Sequence, residues 1–228
     1  MAVDPLRHLD VFMPSKFNPL RVDVVGCGAT GSRIALSLAK LGVDNLHVHD
    51  HDVVEEHNLA NQAFGLGDIG QSKALALVEM IHRETGSDVV AHPAKVTGEN
   101  TLGDVVFLVT DTMKSRKDIW EGALKLKMAT KLVIETRMSA DEGHIYAVNP
   151  CNTRHIRAWE ATLFDDDEAE VSACGASTSV GPTAEVISGL AVWQMIRWQA
   201  LRLAEGKDVL DNEILIGMRP GAMNTRIF

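Results

Sequence analysis

The sequence predicts an α/β fold: a Rossmann-like, doubly wound and mostly parallel sheet with antiparallel additions on its C-terminal side. Three observations predict it. From Arg21 onward short apolar runs alternate with segments of helical spacing, a G-x-G-x-x-G run falls at the first strand-to-helix junction, and polar residues gather at the ends of successive strands. A chain of 228 residues that is 46% hydrophobic has the apolar mass for one well-buried domain. Residues 1–228 are therefore read as a single domain, with an N-terminal extension over 1–20 and a crossover loop over 151–180.

Taken in order, RVDVVG (21–26) is a short apolar strand ending at a glycine, and SRIALSLAKLG (32–42) has helical spacing and a glycine stop. NLHVHD (45–50) reads as the second strand, IGQSKALALVEMIHRE (69–84) as a helix and DVVAH (88–92) as the third strand. VVFLVT (105–110), a helix near 114–127 and KLVIET (131–136) continue the alternation, which implies parallel pairing through right-handed crossovers. GHIYAVNP (143–150) breaks the pattern and reads as an antiparallel addition, and 151–180 show no clear period. The tract from Gly181 to Leu203 is long enough to span a bilayer but carries Glu185, Gln194 and Arg197, so it reads as a buried helix of a soluble protein.

Composition excludes several functions. A net charge of −9 argues against a duplex-binding surface, which needs clustered Lys and Arg to neutralise phosphates. Cys27, Cys151 and Cys174 are widely separated and include no C-x-x-C pair, which argues against a disulfide framework and a structural zinc. The segment MAVDPLRHLD has no apolar signal core. The expectation is a cytoplasmic protein that engages neither membrane nor nucleic acid.

The chemistry starts at Gly26, Gly28 and Gly31. Between a strand and a helix these glycines let backbone approach a phosphate or ribose while the helix N-terminus faces an anion. Asp50, at the end of the second strand, can accept from ribose hydroxyls. No Gly-Lys-Ser or Gly-Lys-Thr closes the loop, so it is not a Walker A motif, and to this point an NAD site fits equally. Three further groups extend the signal: D-x-D-x-V-x-x-x-N-L-x-x-Q from Asp50 to Gln62, G-x-x-K from Gly70 to Lys73, and T-D-x-x-x-x-R from Thr110 to Arg116. A cation on the first turn of a helix, as at Lys73, is disfavoured by the dipole unless an anion is near. Asp111 taken alone reads first as a cap of the helix that follows, and Arg116 as half of a salt bridge within its own helix.

This ordered series resembles the ThiF/MoeB/HesA family, bacterial relatives of ubiquitin-activating enzymes, over roughly residues 20–200. The resemblance implies attack on the ATP α-phosphate by the C-terminal carboxylate of a small ubiquitin-fold or sulfur-carrier protein ending in glycine, giving an acyl-adenylate and pyrophosphate. It implies that Gly26, Gly28 and Gly31 form the nucleotide loop and Asp50 holds the ribose. It further implies that Asn58 and Lys73 contact phosphates, that Asp111 binds Mg²⁺, that Arg116 supports the site, and that the chain forms a homodimer. Cys174 stands where some members use a cysteine on the activated carrier; its other reading is a loop cysteine without a covalent role.

Departures from the family bear on activity. The paired C-x-x-C zinc motifs are absent, so no zinc is expected. The arginine of N-L-x-R-Q is Asn61 here, an amide that can donate to a phosphate but not neutralise it. The expected replacement cations are Lys73, Mg²⁺ and an arginine in trans such as Arg7. His47, His49 and His51 share one face of the second strand but have no zinc spacing, and the acidic run Asp165 to Glu168 reads as a solvated loop. A catalytically weak nucleotide-binding scaffold and an NAD-dependent oxidoreductase stand as the alternatives.

Overall fold

The computed structural model describes residues 3–166, 179–203 and 210–228. One eight-stranded sheet organises them, in the order β3-β2-β1-β4-β5-β6-β7-β8. Its strands are β1 (Val22–Val25), β2 (Leu46–His49), β3 (Val90–His92), β4 (Val105–Leu108), β5 (Leu132–Met138), β6 (Glu142–Val148), β7 (Glu213–Met218) and β8 (Gly221–Arg226). The first five pair in parallel and the last three are added antiparallel. The helices are α1 (Pro14–Phe17), α2 (Ala29–Lys40), α3 (Lys73–Thr85), α4 (Met113–Ile119), α5 (Thr153–Glu160) and α6 (Gly181–Arg202).

Strand alternation divides the interior in two. Val22, Val24, Leu46, Val48, Val105, Phe107, Leu132 and Ile134 face one layer, where α2, α3 and α6 supply Ile34, Leu38, Leu77, Ile81, Ile187 and Met195. Val25, Val106, Leu108, Val133 and Tyr146 face the other, against Ile119, Trp120, Ile156 and Trp159. The two tryptophan rings meet at 4.4 Å between centroids. Helices on both faces cover the parallel strands, which is why β1 and β4 are apolar at nearly every position instead of alternating. No helix among the described residues is long and apolar enough to cross a membrane.

Some regions carry more structure than the sequence reading gave them, and one helix start shifts. The extension over 1–20 packs into the core: Phe12 and Phe17 are buried, and the Gln199 amide of α6 holds both the N–H and the carbonyl of Met13. The stretch read as a crossover loop contains α5. Its N-cap is Asn152, whose side chain accepts from Arg154 and His155, and only Ile156 and Trp159 turn inward, too few apolar positions to mark a period. Helix α3 begins at Lys73 rather than Ile69, because Gly70 at φ 84° turns the chain and Ser72 bridges back to Val53. The hairpin β7–β8 lies in a stretch for which no element was read; its outer strand is exposed throughout and so has no apolar alternation to detect.

Candidate nucleotide-binding site

The order β3-β2-β1-β4-β5 reverses direction between β1 and β4, and such a reversal opens a crevice outside the carboxyl ends of the strands. The glycine loop sits there. Gly26 has φ 103°, and a Cβ on it would stand 2.6 Å from the Val109 carbonyl that follows β4. A Cβ on Gly31 would stand 1.9 Å from the Gly26 carbonyl, so this glycine is what lets α2 pack against the strand end. A Cβ on Gly28 would meet nothing within 4 Å. The missing side chain at Gly28 therefore serves no internal contact and leaves open space at the N-terminus of α2, which no side chain caps.

Asp50 braces this loop. One carboxylate oxygen accepts the Cys27 N–H at 2.7 Å and the other the Asp52 N–H at 2.8 Å, tying the glycine loop to the turn after β2. Each oxygen keeps a second acceptor position. Burial, and then the Asp50 charge, raise the Cys27 thiol well above its ordinary pKa, so the cysteine within the loop is an inert packing group.

Lys73 opens α3 nearly buried. Its N–H donates to the Asp52 carbonyl at 2.9 Å and its Nζ lies 3.2 Å from the Asp52 carboxylate, which is half exposed. The dipole misfit of a cation at a helix start is thus offset in part by a carboxylate open to solvent. Asn58 is buried in the turn Glu56–Ala60, where its Oδ1 accepts the Glu55 N–H at 2.9 Å, an arrangement that fixes the side chain and occupies its acceptor. Asn61 ends that turn; its Nδ2 stands 3.5 Å from the Ser179 carbonyl and its buried Oδ1 has no partner among the described residues.

At the end of β4 the start of α4 is capped by residues other than Asp111. Thr112 is the N-cap of α4, accepting from Ser115, and Asp166 accepts the N–H groups of Met113 at 2.5 Å and Lys114 at 3.1 Å. The helix start is satisfied without Asp111, which is exposed and makes no hydrogen bond or ion pair among the described residues. Asp165 pairs with Lys117 at 2.6 Å, so this part of the acidic run is docked on α4 instead of being a solvated loop. Arg116 is buried. It pairs with Glu135 of β5, not within its own helix, and donates to the Thr110 carbonyl, which anchors the strand end that presents Asp111. Burial lowers the Arg116 pKa and Glu135 opposes that shift; Glu135 is fully buried and also accepts from Arg137 and Trp159.

Other candidates stand apart. His47 and His49 stack with His92 of β3, at 5.2 and 4.2 Å between ring centroids, and His49 bonds Asp23 at 2.6 Å, whereas His51 is exposed beside Asp52. The histidines of β2 are thus satisfied by neighbours. Arg7 lines a groove with Ser37, Lys40 and Leu41 at the C-terminal end of α2. That helix has 12 residues, about 18 Å of length at 1.5 Å per residue, so Arg7 does not reach the loop of its own chain. Cys174 lies outside the described residues. No motif marks Arg33, one turn inside α2, or Glu135, and the acidic run gives no sign of the role of Asp166, because each is defined by a partner distant in the chain.

The fold defines an α/β protein of the doubly wound type, with its crevice at the strand ends where such sheets take ligands. More narrowly, the chain belongs to the ThiF family, which it matches over residues 13–212. It is 43% identical over 100 residues to the adenylyltransferase and sulfurtransferase MOCS3 of Mus musculus, a match covering 41% of this chain and 22% of that protein. The selenomethionine crystal structure of PaaA superposes with a TM-score of 0.73 at 18% identity, covering 93% of this chain and 65% of that one. The crystal structure of E. coli MccB with ATP gives 0.70 at 15% identity over the same shares. The chain thus spans about a fifth of the mouse relative and under two thirds of the solved chains.

Proposed function

We propose that the chain is an ATP-dependent adenylyltransferase that activates the C-terminal carboxylate of a small ubiquitin-fold or sulfur-carrier protein as an acyl-adenylate. One observation carries the reading: an open space over Gly28 at the crevice of the sheet, and, past the end of the adjacent strand β4, a carboxylate, Asp111, that no internal contact uses among the described residues. Family membership and the names of its relatives support it. A carboxylate oxygen of the carrier attacks the α-phosphorus, the bond from that phosphorus to the bridging oxygen breaks, and pyrophosphate leaves with the electron pair. Two anions must meet, so the chain's work is positioning and charge neutralisation.

The glycine loop and the start of α2 receive phosphate oxygens, Asp50 accepts from the ribose while bracing the loop, and Asn58 Nδ2 and Lys73 contact phosphates. Arg116 holds the Thr110 turn from behind. Mg²⁺ suits Asp111, since this ion typically takes one or two carboxylates and completes its shell with phosphates and water; when bound, it neutralises the charge developing on the leaving pyrophosphate. Cys174, if it acts, serves the later transfer, because a thiol has no part in attack at phosphorus. A homodimer belongs to the same reading, supported by Trp193, 51% exposed on α6. The test compares binding of Mg·ATP and NAD, then carrier-dependent exchange of labelled pyrophosphate into ATP. Binding of ATP with exchange is the expected result. NAD binding alone overturns the reading, and ATP binding without exchange on any carrier with a C-terminal glycine favours a scaffold.

A further inference from the structure

Arg33 is in an electrostatically costly place. Its side chain is only 18% exposed and folds back along α2, so that Nη1 donates to the carbonyl of Ala29 at 3.0 Å and to that of Asn61 at 2.6 Å. Nη2 comes within 3.7 Å of where a Cβ on Gly181, the first residue of α6, would stand. The guanidinium thus lies against the first turns of two helices, α2 and α6, whose N-terminal ends both carry positive partial charge. A cation there is repelled by both dipoles unless an anion joins it. Among the described residues little supplies it: Glu185 is 67% exposed and touches Nη2 only at 3.5 Å, a pair worth little in water. Arg116 and Arg137 are already committed, since both are bound to Glu135.

We propose that Arg33 is the cation, supplied within the chain, that meets the polyphosphate of the bound nucleotide beside Asn61. The inference rests on the nucleotide reading above. Nη1 directs its hydrogens to the two carbonyls, which aim the group; Nε and the second hydrogen of Nη2 have no partner among the described residues and form an edge suited to two phosphate oxygens. The first turn of α2 that Arg33 holds is the turn that follows Gly28, where the open space lies. Asn61, whose own side chain has an unpartnered buried oxygen among the described residues, is joined to the guanidinium through its backbone, so the charge that its side chain lacks is present one hydrogen bond away. No arginine from a second subunit is required for it.

The test uses the full chain and measures affinity for Mg·ATP and for adenosine, with thermal midpoints as a check of folding, in wild type, Arg33→Ala, Arg33→Lys and the double variant Arg33→Ala with Asn61→Arg. Arg33→Ala is expected to weaken Mg·ATP about ten- to a hundred-fold, the range for losing hydrogen bonds to a charged group, while adenosine, which has no phosphate, binds as before. Arg33→Lys is expected to recover part of the loss, and Asn61→Arg to restore Mg·ATP binding to Arg33→Ala. Unchanged Mg·ATP affinity in Arg33→Ala overturns the proposal. So does a parallel loss of adenosine binding that neither the lysine substitution nor the second-site arginine repairs, for that is the signature of a bracket between α2 and Asn61. Failure of the wild type to bind Mg·ATP overturns the nucleotide reading itself.

Discussion

Gly28 and Gly31 lie three residues apart, one just before α2 and one in its first turn, and lack side chains for opposite reasons. Gly31→Ala places a Cβ against the Gly26 carbonyl, a backbone atom that cannot swing aside, so a thermal melt should show a loss of several degrees, the scale of at least about 1 kcal/mol in a chain this long. Gly28→Ala places its methyl in open space. Its thermal midpoint should stay near wild type, with a capping cost below about 1 kcal/mol, while Mg·ATP affinity drops, because the methyl occupies the ligand's path. Equal loss of stability in both would count against the open-space reading. Asp111 follows the same logic: with the start of α4 capped by Thr112 and Asp166, Asp111→Asn should leave the melt unchanged and abolish pyrophosphate exchange. Exchange at the wild-type rate in that variant would remove Asp111 from the metal site.

Among the elements, α5 depends on one residue for its start. Asn152→Ala removes the acceptor for two backbone N–H groups, which costs about 1 kcal/mol and should appear as a lower denaturant midpoint with an unchanged m-value. The edge formed by β2 and β3 carries a different dependence. Burial, and then Arg21, lower the pKa of His47, and burial, and then His49, lower that of His92, both below the ordinary imidazole value of 6.5. The folded chain therefore takes up these protons less readily than the unfolded chain. Stability from this edge is full above pH 6.5 and is lost as pH falls from there through the lowered folded-state values. Melts from pH 8 to pH 5 should record that decline, and His92→Gln should make it shallower; an identical slope in the variant would place the proton uptake elsewhere.

At the scale of the whole molecule, Glu135 joins layers that are far apart in sequence. It is fully buried in the middle of β5 and accepts from Arg116 of α4, Arg137 of β5 and Trp159 of α5, which holds both helices of the second layer to the sheet. Glu135→Ala strands two guanidinium groups, one of them deeply buried, and removing one partner of a buried ion pair costs about 3–5 kcal/mol. The expected outcome is a large fall in the melting temperature together with loss of nucleotide binding, because Arg116 also positions the Thr110 carbonyl ahead of Asp111. A Glu135→Ala protein with wild-type stability would show that the network contributes nothing to the joining of the layers.

The sequence by itself determined the parallel half of the sheet, the site of the glycine loop and the family, because each is written in local periodicity or in residue types at fixed short spacings. The places of Asp50, Lys73 and Asp111 in the fold were legible for the same reason: each stands at a strand end or helix start that its neighbours announce. Tertiary structure alone decided what those residues are free to do. Asp166, more than fifty residues along the chain, caps α4 and so releases Asp111; Glu135 binds Arg116; and the Asn61 carbonyl draws Arg33 to the start of α2. Helix α5 and the β7–β8 hairpin were likewise hidden, since two inward residues and an exposed edge leave no period. A spacing records which neighbours a residue has along the chain, but its charge is neutralised or left available by neighbours that only folding brings near.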